Sequence, residues 1–323
     1  MRQICMCVGT VLSMAGACVH AQTLTDGDAS FQMLTPTFSL SLGDATFRTD
    51  GPSSPDVQYK YAWYYRTQNN NQNSLLSLFD NPVTFTQGNK TRLTWTRTGP
   101  GVVGNERLDL EAIISIRDGA SPGQARVFAR VKLTSNITNT APRTFNLFNL
   151  NDIDLPGGTP NPAPDDSLSY SAGRGTFAEP SSTNVGEVIA DANVFAFDVA
   201  SGSSLRSLLS GGSGNLANRV TYSGDGAVAH QWQWTLNPGE SRIARVGHAL
   251  NATAYESDPC AADLNRDNQV DNSDFVLFVN AYNDFLCPDL PAFCDSDLDE
   301  DGVVDNTDFV VFANQYTTFL CPW

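Results

Sequence analysis

Oxygen-bearing side chains recur at alternate positions in two twelve-residue stretches near the C-terminal end of this sequence. The first runs Asp263-Leu-Asn-Arg-Asp-Asn-Gln-Val-Asp-Asn-Ser-Asp274 and places them at positions 1, 3, 5, 9 and 12. The second, Asp297-Leu-Asp-Glu-Asp-Gly-Val-Val-Asp-Asn-Thr-Asp308, does the same. Such spacing wraps a chain around one point and supplies the six to eight oxygens that a hard cation such as Ca²⁺ takes, with a backbone carbonyl at position 7. The expected ligands are Asp263, Asn265, Asp267, Gln269, Asp271 and Asp274 in the first loop. In the second they are Asp297, Asp299, Asp301, Val303, Asp305 and Asp308. Gln269 and Val303 act through the backbone, so two Ca²⁺ ions are the expected cofactors. Gly302 suits the sharp turn at position 6, and Asn268, which tolerates the left-handed region, takes its place in the first loop. Position 12 is Asp in both, one methylene shorter than the usual Glu.

The two loops belong to a duplicated unit with an offset of 34 residues, which maps Cys260 on Cys294, Phe275 on Phe309, Tyr282 on Tyr316 and Cys287-Pro288 on Cys321-Pro322. After each loop an amphipathic helix is expected, with apolar stripes Phe275, Phe278, Val279, Tyr282 and Phe309, Phe312, Ala313, Tyr316 that pack on each other. Val270 and Val304, at position 8, can join the loops as a short antiparallel bridge. Pro259 and Pro291 precede the loops closely, so each unit is a loop and one helix with no entering helix. From Asp258 onward fourteen carboxylates face one cation, Arg266, a net −13 within a chain total of −16. A field of that sign repels nucleic acid and anionic lipid and calls for bound cations.

This duplicated loop-helix architecture resembles type I dockerins, and its cysteine-bracketed form looks like the dockerin-like tails of exported planctomycete proteins. The resemblance spans about Cys260 to Trp323. It implies a calcium-stabilised interaction module whose loop positions 10 and 11, here Asn272-Ser273 and Asn306-Thr307, help select a cohesin partner. The repeat is longer than the usual dockerin unit, and bracketing cysteines are not part of the cellulosomal pattern. A cohesin-like or other cell-surface protein is the expected partner, with polysaccharide as another.

Arg2, the apolar run Ile4 to Val19 and Val19-His20-Ala21 read as an export signal cleaved after Ala21, followed by no further stretch of membrane-spanning length. A secreted, extracellular or cell-surface location without membrane insertion follows. Three cysteines leave with the signal. The remaining Cys260, Cys287, Cys294 and Cys321 suit disulfides in an oxidising compartment better than zinc, whose close cysteine pairs and histidines are missing. Four cysteines permit three connectivities, and the duplication favours Cys260 with Cys287 and Cys294 with Cys321. Each ring would then stabilise its small unit by roughly 3–4 kcal/mol.

The elements ahead of this tail read as strands: short runs rich in Val, Phe, Tyr, Trp and Thr between Gly, Pro, Asn and Asp clusters. Expected strands are Phe31–Leu42, Tyr59–Thr67, Thr91–Thr98, Leu108–Arg117, Ala125–Thr134, Thr144–Leu150, Val185–Ala190, Val194–Val199, Val228–Leu236 and Ser241–His248, with one short helix at Ser204–Leu209. The fold class is mainly β, a large antiparallel β-sandwich followed by a small α module. Two smaller sandwiches split near Pro156–Asp166 are the alternative. The expected organisation is signal 1–21, β-sandwich 22–257 and calcium-binding module 258–323, with the boundary in Ala252–Pro259.

The stretches Trp63-Tyr64-Tyr65-Arg66, Phe145–Leu155 and Gln231-Trp232-Gln233-Trp234 resemble a poorly characterised β-sandwich of exported bacterial surface proteins, which implies no particular activity. Asp152 and Asp154 lie at strand spacing for paired carboxylates or metal ligands, although such residues also end strands and cap turns. His230, Trp232 and Trp234 share one strand face, either as a sugar-stacking platform or as core. No nucleophile or zinc-hydrolase motif occurs, and Glu106, Glu111, Glu179 and Glu187 form no evident catalytic pair. The leading expectation is an exported non-enzymatic binding or structural protein; the alternative is a carbohydrate-binding protein or polysaccharide-acting hydrolase carried by the same tail.

Overall fold

Residues that alternate between apolar and polar form strands that bury one face, and such strands are the main element of the described residues. The computed structural model describes residues 22–33, 45–67, 73–74, 83–95, 107–157, 167–267, 269–284, 293–299, 303–317 and 321. The expected signal segment, Glu106, Cys287 and Asp301 lie outside these residues. The strands are β1 (Gln22–Asp26), β2 (Ala29–Met33), β3 (Ala45–Arg48), β4 (Gln58–Thr67), β5 (Asn73–Ser74), β6 (Val83–Gln87), β7 (Lys90–Trp95), β8 (Leu108–Asp118) and β9 (Ala125–Ser135). They continue with β10 (Arg143–Ile153), β11 (Ser167–Ser171), β12 (Arg174–Ala178), β13 (Val185–Ala190), β14 (Ala196–Ser201), β15 (Thr221–Ser223), β16 (Gly226–Leu236) and β17 (Ser241–Leu250). Three helices accompany them: α1 (Gly202–Leu209), α2 (Asn272–Asp284) and α3 (Asn306–Tyr316). No described helix is long and apolar enough to cross a membrane.

All described pairings are antiparallel. A nine-stranded sheet, β15-β11-β12-β13-β17-β9-β8-β7-β6, faces a five-stranded one, β14-β16-β10-β4-β5, and the ribbon β1-β2-β3 lies beside them. One apolar cluster fills the space between, from Leu24 and Phe31 to Val246 and Leu250, and it draws on strands before and after Pro156–Asp166. Trp63 stacks on Trp232 at 5.8 Å in its middle. A second cluster lies on the outer face of the five-stranded sheet, where Leu205 and Leu209 of α1 cover Tyr64, Phe148 and Leu150.

Several strands escape the sequence reading because their outward residues are serine or threonine and their turns are short. The hairpin β11–β12 turns at Ala172-Gly173, both left-handed with φ of 51° and 83°. The strand expected at Val194–Val199 starts later, at Ala196, because Asp191 closes a turn first. Its backbone carbonyl accepts from the Val194 N–H, and its side chain accepts from the Asn193 N–H.

His230 and His248 are buried between the sheets. His248 packs against Phe31, Phe47 and Tyr61 at 5.3–5.7 Å between ring centroids. Burial pushes both imidazoles down to about 3 from the ordinary 6.5. Above pH 6.5 both states are neutral; below it the unfolded chain takes up protons that the folded chain refuses, so stability is lost as pH falls from about 6.5 to about 3. Each histidine costs about 1.4 kcal/mol per pH unit in that window. Replacing His248 with Phe is expected to flatten the dependence of unfolding free energy on pH between 6 and 4 by about that amount. Urea titrations at both pH values check it, and an unchanged slope contradicts it.

Candidate metal centre

The two acidic loops are closed from within by the carboxylate at position 12. Asp274 Oδ1 accepts from the N–H groups of Leu264 at 2.8 Å and Asn265 at 3.0 Å, and its Oδ2 accepts from Asp271 at 2.9 Å. Asp308 repeats this with Leu298 at 2.6 Å, Asp299 at 3.1 Å and Asp305 at 2.8 Å. Three amide donors per carboxylate hold both residues at zero exposure and fold each loop into the same curve. The remaining side chains cap the turns: Asp267 accepts from the Gln269 N–H, and Asp271 and Asp305 from Ser273 and Thr307 at the helix starts.

In the second loop the carboxylate oxygens of Asp297, Asp299 and Asp308 come within 4.8 Å of one another. Hard oxygen donors at that separation, on a loop that offers a backbone carbonyl at position 7, fit a calcium ion. Asp301, expected at position 5, lies outside the described residues. The first loop has the same bonds to its position-12 carboxylate, but Asn265 at position 3 leaves it one carboxylate ligand fewer.

Val270 and Val304 are buried together with Ala262, Phe278 and Phe312, and the Phe278 and Phe312 rings stack at 5.0 Å. The units exchange reciprocal bonds: Tyr282 donates to Asn306 at 2.6 Å, and Tyr316 donates to Asn272 at 2.7 Å. Phe275 and Phe309 keep the expected contact across the units, with Phe312 at 5.8 Å and Phe278 at 6.3 Å between ring centroids, yet are 40% and 44% exposed, and Val276, Leu277 and Val310 are exposed beside them.

The disulfide pairing differs from the expectation. Cys260 is bonded to Cys321, with Cα atoms 5.5 Å apart, so the first unit's entrance is tied to the second unit's end. Cys294 is also disulfide-bonded. The cause is the packing of two units face to face, which lays the start of the first beside the end of the second. Duplication is compatible with either pairing, and only the packing chooses.

The tail is seated on the outer face of the nine-stranded sheet. Segment 252–259, expected as a boundary, is bound to it: Arg126 Nε donates to the Thr253 carbonyl at 2.7 Å, and the Ala254 N–H donates to Glu187 at 2.9 Å. The segment crosses β17 over Gly247, where a Cβ would overlap the carbonyl of Tyr255. Farther on, Arg92 lies over the Phe293 ring at 4.9 Å, and Lys90 pairs with Asp295 at 3.5 Å. Arg117 reaches Asp258 at 3.0 Å and Asp263 at 2.9 Å. A cleft of 360 Å³ remains between sheet and tail, with Ser115, Phe128 and Arg130 on one side and Asp297 and Asp299 on the other.

The β body holds a second carboxylate cluster. Asp152 and Asp154 meet Asp225, each offering an oxygen within 4.8 Å of the others. Asp152 lies opposite Lys60 in the β10–β4 register, with both fully or almost fully buried, and Gly202 at the start of α1 leaves no room for a Cβ beside its carboxylate. Burial, with Asp225 and Asp56 nearby, pushes the Asp154 carboxyl up to about 6. Such a trio can hold a divalent ion or keep one proton among its members. Asp225 has no local sequence signal, since it lies far along the chain from Asp154.

His230 and Trp232 are fully buried and Trp234 packs against the core, so this face is interior and not a sugar platform. Glu111 pairs with Arg130 at 3.1 Å and Glu187 with Arg174, while Glu179 accepts from Ser181.

No protein-family model matches the sequence, and no curated protein matches it. Among solved structures, a proposed aldose 1-epimerase from Escherichia coli K12 is similar at 6% identity over 72% of this chain and 98% of its own, with a TM-score of 0.41. A bacterial glucoamylase complexed with acarbose is similar at 8% identity, over 78% of this chain and 36% of its own, with a TM-score of 0.42. The 4-α-glucanotransferase of Thermococcus litoralis follows at 8% identity, over 75% and 39%, with a TM-score of 0.37. Likeness at this level says nothing about activity.

Gly247 makes the seat of the tail testable. Gly247→Ala is expected to cost about 1–3 kcal/mol through overpacking and to lift segment 252–259 from β17. Limited proteolysis should then cut that segment at least tenfold faster than in the parent protein; equal cutting rates would contradict the seat.

Proposed function

We propose that this chain is an exported, non-enzymatic binding or structural protein whose tail, residues 258–323, is an interaction module stabilised by two Ca²⁺ ions. The convergence of Asp297, Asp299 and Asp308 carries the reading, on a loop whose internal bonds are repeated residue for residue in the first copy. When bound, calcium supplies charge neutralisation and fixed loop geometry. Asp263, Asn265, Asp267, Gln269, Asp271 and Asp274 would hold the first ion. Asp297, Asp299, Asp301, Val303, Asp305 and Asp308 would hold the second. The cystine Cys260–Cys321 supports an oxidising, extracellular setting. Phe275, Val276, Leu277, Phe309 and Val310, exposed on α2 and α3, offer an apolar surface to a protein partner at the cell exterior, such as a cohesin-like domain.

Thermal unfolding tests the reading. At a hundredfold excess over Kd each ion is expected to add about 2.7 kcal/mol, and EGTA should reverse the gain. Asp274→Ala and Asp308→Ala should each abolish one ion's share. A melting curve indifferent to millimolar Ca²⁺ would end the proposal.

The trio Asp152, Asp154 and Asp225 favours a second reading, a polysaccharide-acting enzyme in which Asp154, with its carboxyl raised to about 6, carries the proton. That reading expects hydrolysis of some polysaccharide with an acidic limb near pH 6, lost by at least a hundredfold in Asp154→Asn. A screen without turnover removes it.

A further inference from the structure

Arg117, at the end of β8, leaves the outer face of the sheet and enters the tail with only 8% of its side chain exposed. Its Nε donates to Asp258 Oδ2 at 3.0 Å, one terminal nitrogen to Asp263 Oδ2 at 2.9 Å, and the other to the Cys260 carbonyl at 2.8 Å. Asp263 is position 1 of the first loop and is fully buried in its side chain. Its other oxygen, Oδ1, accepts from the Asp267 N–H at 3.1 Å, inside the loop. The carboxylate is thus divided, one oxygen turned to the β body and one to the ion site.

We propose that Arg117 is a positioning residue that joins calcium occupancy of the first loop and docking of the tail on the sheet into one coupled equilibrium. The inference rests on the calcium reading given above. Two effects of the guanidinium compete: its charge opposes a nearby cation, and its fork fixes the rotamer of a ligand. Asp258 matches the charge on the same guanidinium, so the field left at the loop is small and orientation dominates. Arg117 therefore raises the first loop's affinity. Coupling of binding free energies is reciprocal, so an ion in that loop tightens the tail's hold on β8 by the same factor.

Outer-shell partners of metal ligands are worth about 10–100-fold in affinity, which sets the expected effect. Titration of the full oxidised chain with Ca²⁺, followed calorimetrically, should show the first loop weakened at least tenfold in Arg117→Ala and the second loop unchanged. An Asp299→Ala background, which disables the second loop, assigns the sites. Arg117→Lys, which keeps the charge and loses the fork, and Asp258→Asn, which alters no loop ligand, should fold and weaken the same loop by smaller factors. Amide exchange in residues 115–118 and 252–263 should rise at least tenfold with EGTA in the parent chain, and be fast with or without Ca²⁺ in Arg117→Ala. Affinities left unchanged, a first loop that tightens, or two loops weakened alike would overturn the link while leaving the calcium reading intact. A parent chain that takes up no Ca²⁺ would remove both.

Discussion

Repulsion among the carboxylates of residues 258–323 is the constraint on which the rest of the arrangement depends. Two like charges 4 Å apart oppose each other by about 4 kcal/mol at an effective dielectric constant of 20, and the two loops gather most of fourteen such groups. The chain answers in three ways. Backbone N–H groups surround Asp274 and Asp308; cations of the sheet, Arg117 and Lys90, reach into the tail; and in the second loop oxygens of Asp297, Asp299 and Asp308 converge at the place proposed for a divalent ion. The first two operate in the bare protein and draw the acidic module onto the β body. Calcium, the third and proposed one, acts on a loop already curved to receive it.

Duplication then determines how the module closes. Two equal units cannot bury their apolar faces alone, so Phe278 meets Phe312 and the tyrosines bond across to the opposite asparagines. That packing brings Cys260 to Cys321. It also leaves the outer turns of α2 and α3 uncovered, because a face shared between two short helices is narrow.

The sandwich was legible where periodicity was strong. Val185–Ala190 matches its expected span residue for residue, and β8, β9, β10, β16 and β17 differ from expectation by a few residues at their ends. The ribbon strands β1 and β3, the serine-faced β11, and β6 were not legible, since short strands with polar outward faces resemble loops in composition. In the tail the repeat exposed the two loops and helices, while the cystine pairing depended on tertiary contact. In the body, alternation brought Asp152 and Asp154 together, but Asp225 joins them only through the β10–β16 pairing. Arg117 gave no signal either, because what distinguishes it from the neighbouring outward cations is the module that lands on it.

Acidic loops, cystine and seat form one account, in which a sandwich carries an acidic module proposed to bind calcium and helps to order it. Equilibrium dialysis of the full oxidised chain against ⁴⁵Ca²⁺ tests its central claim most directly. The account predicts a plateau at two ions per chain, set by two oxygen-lined loops; a plateau at zero would contradict it.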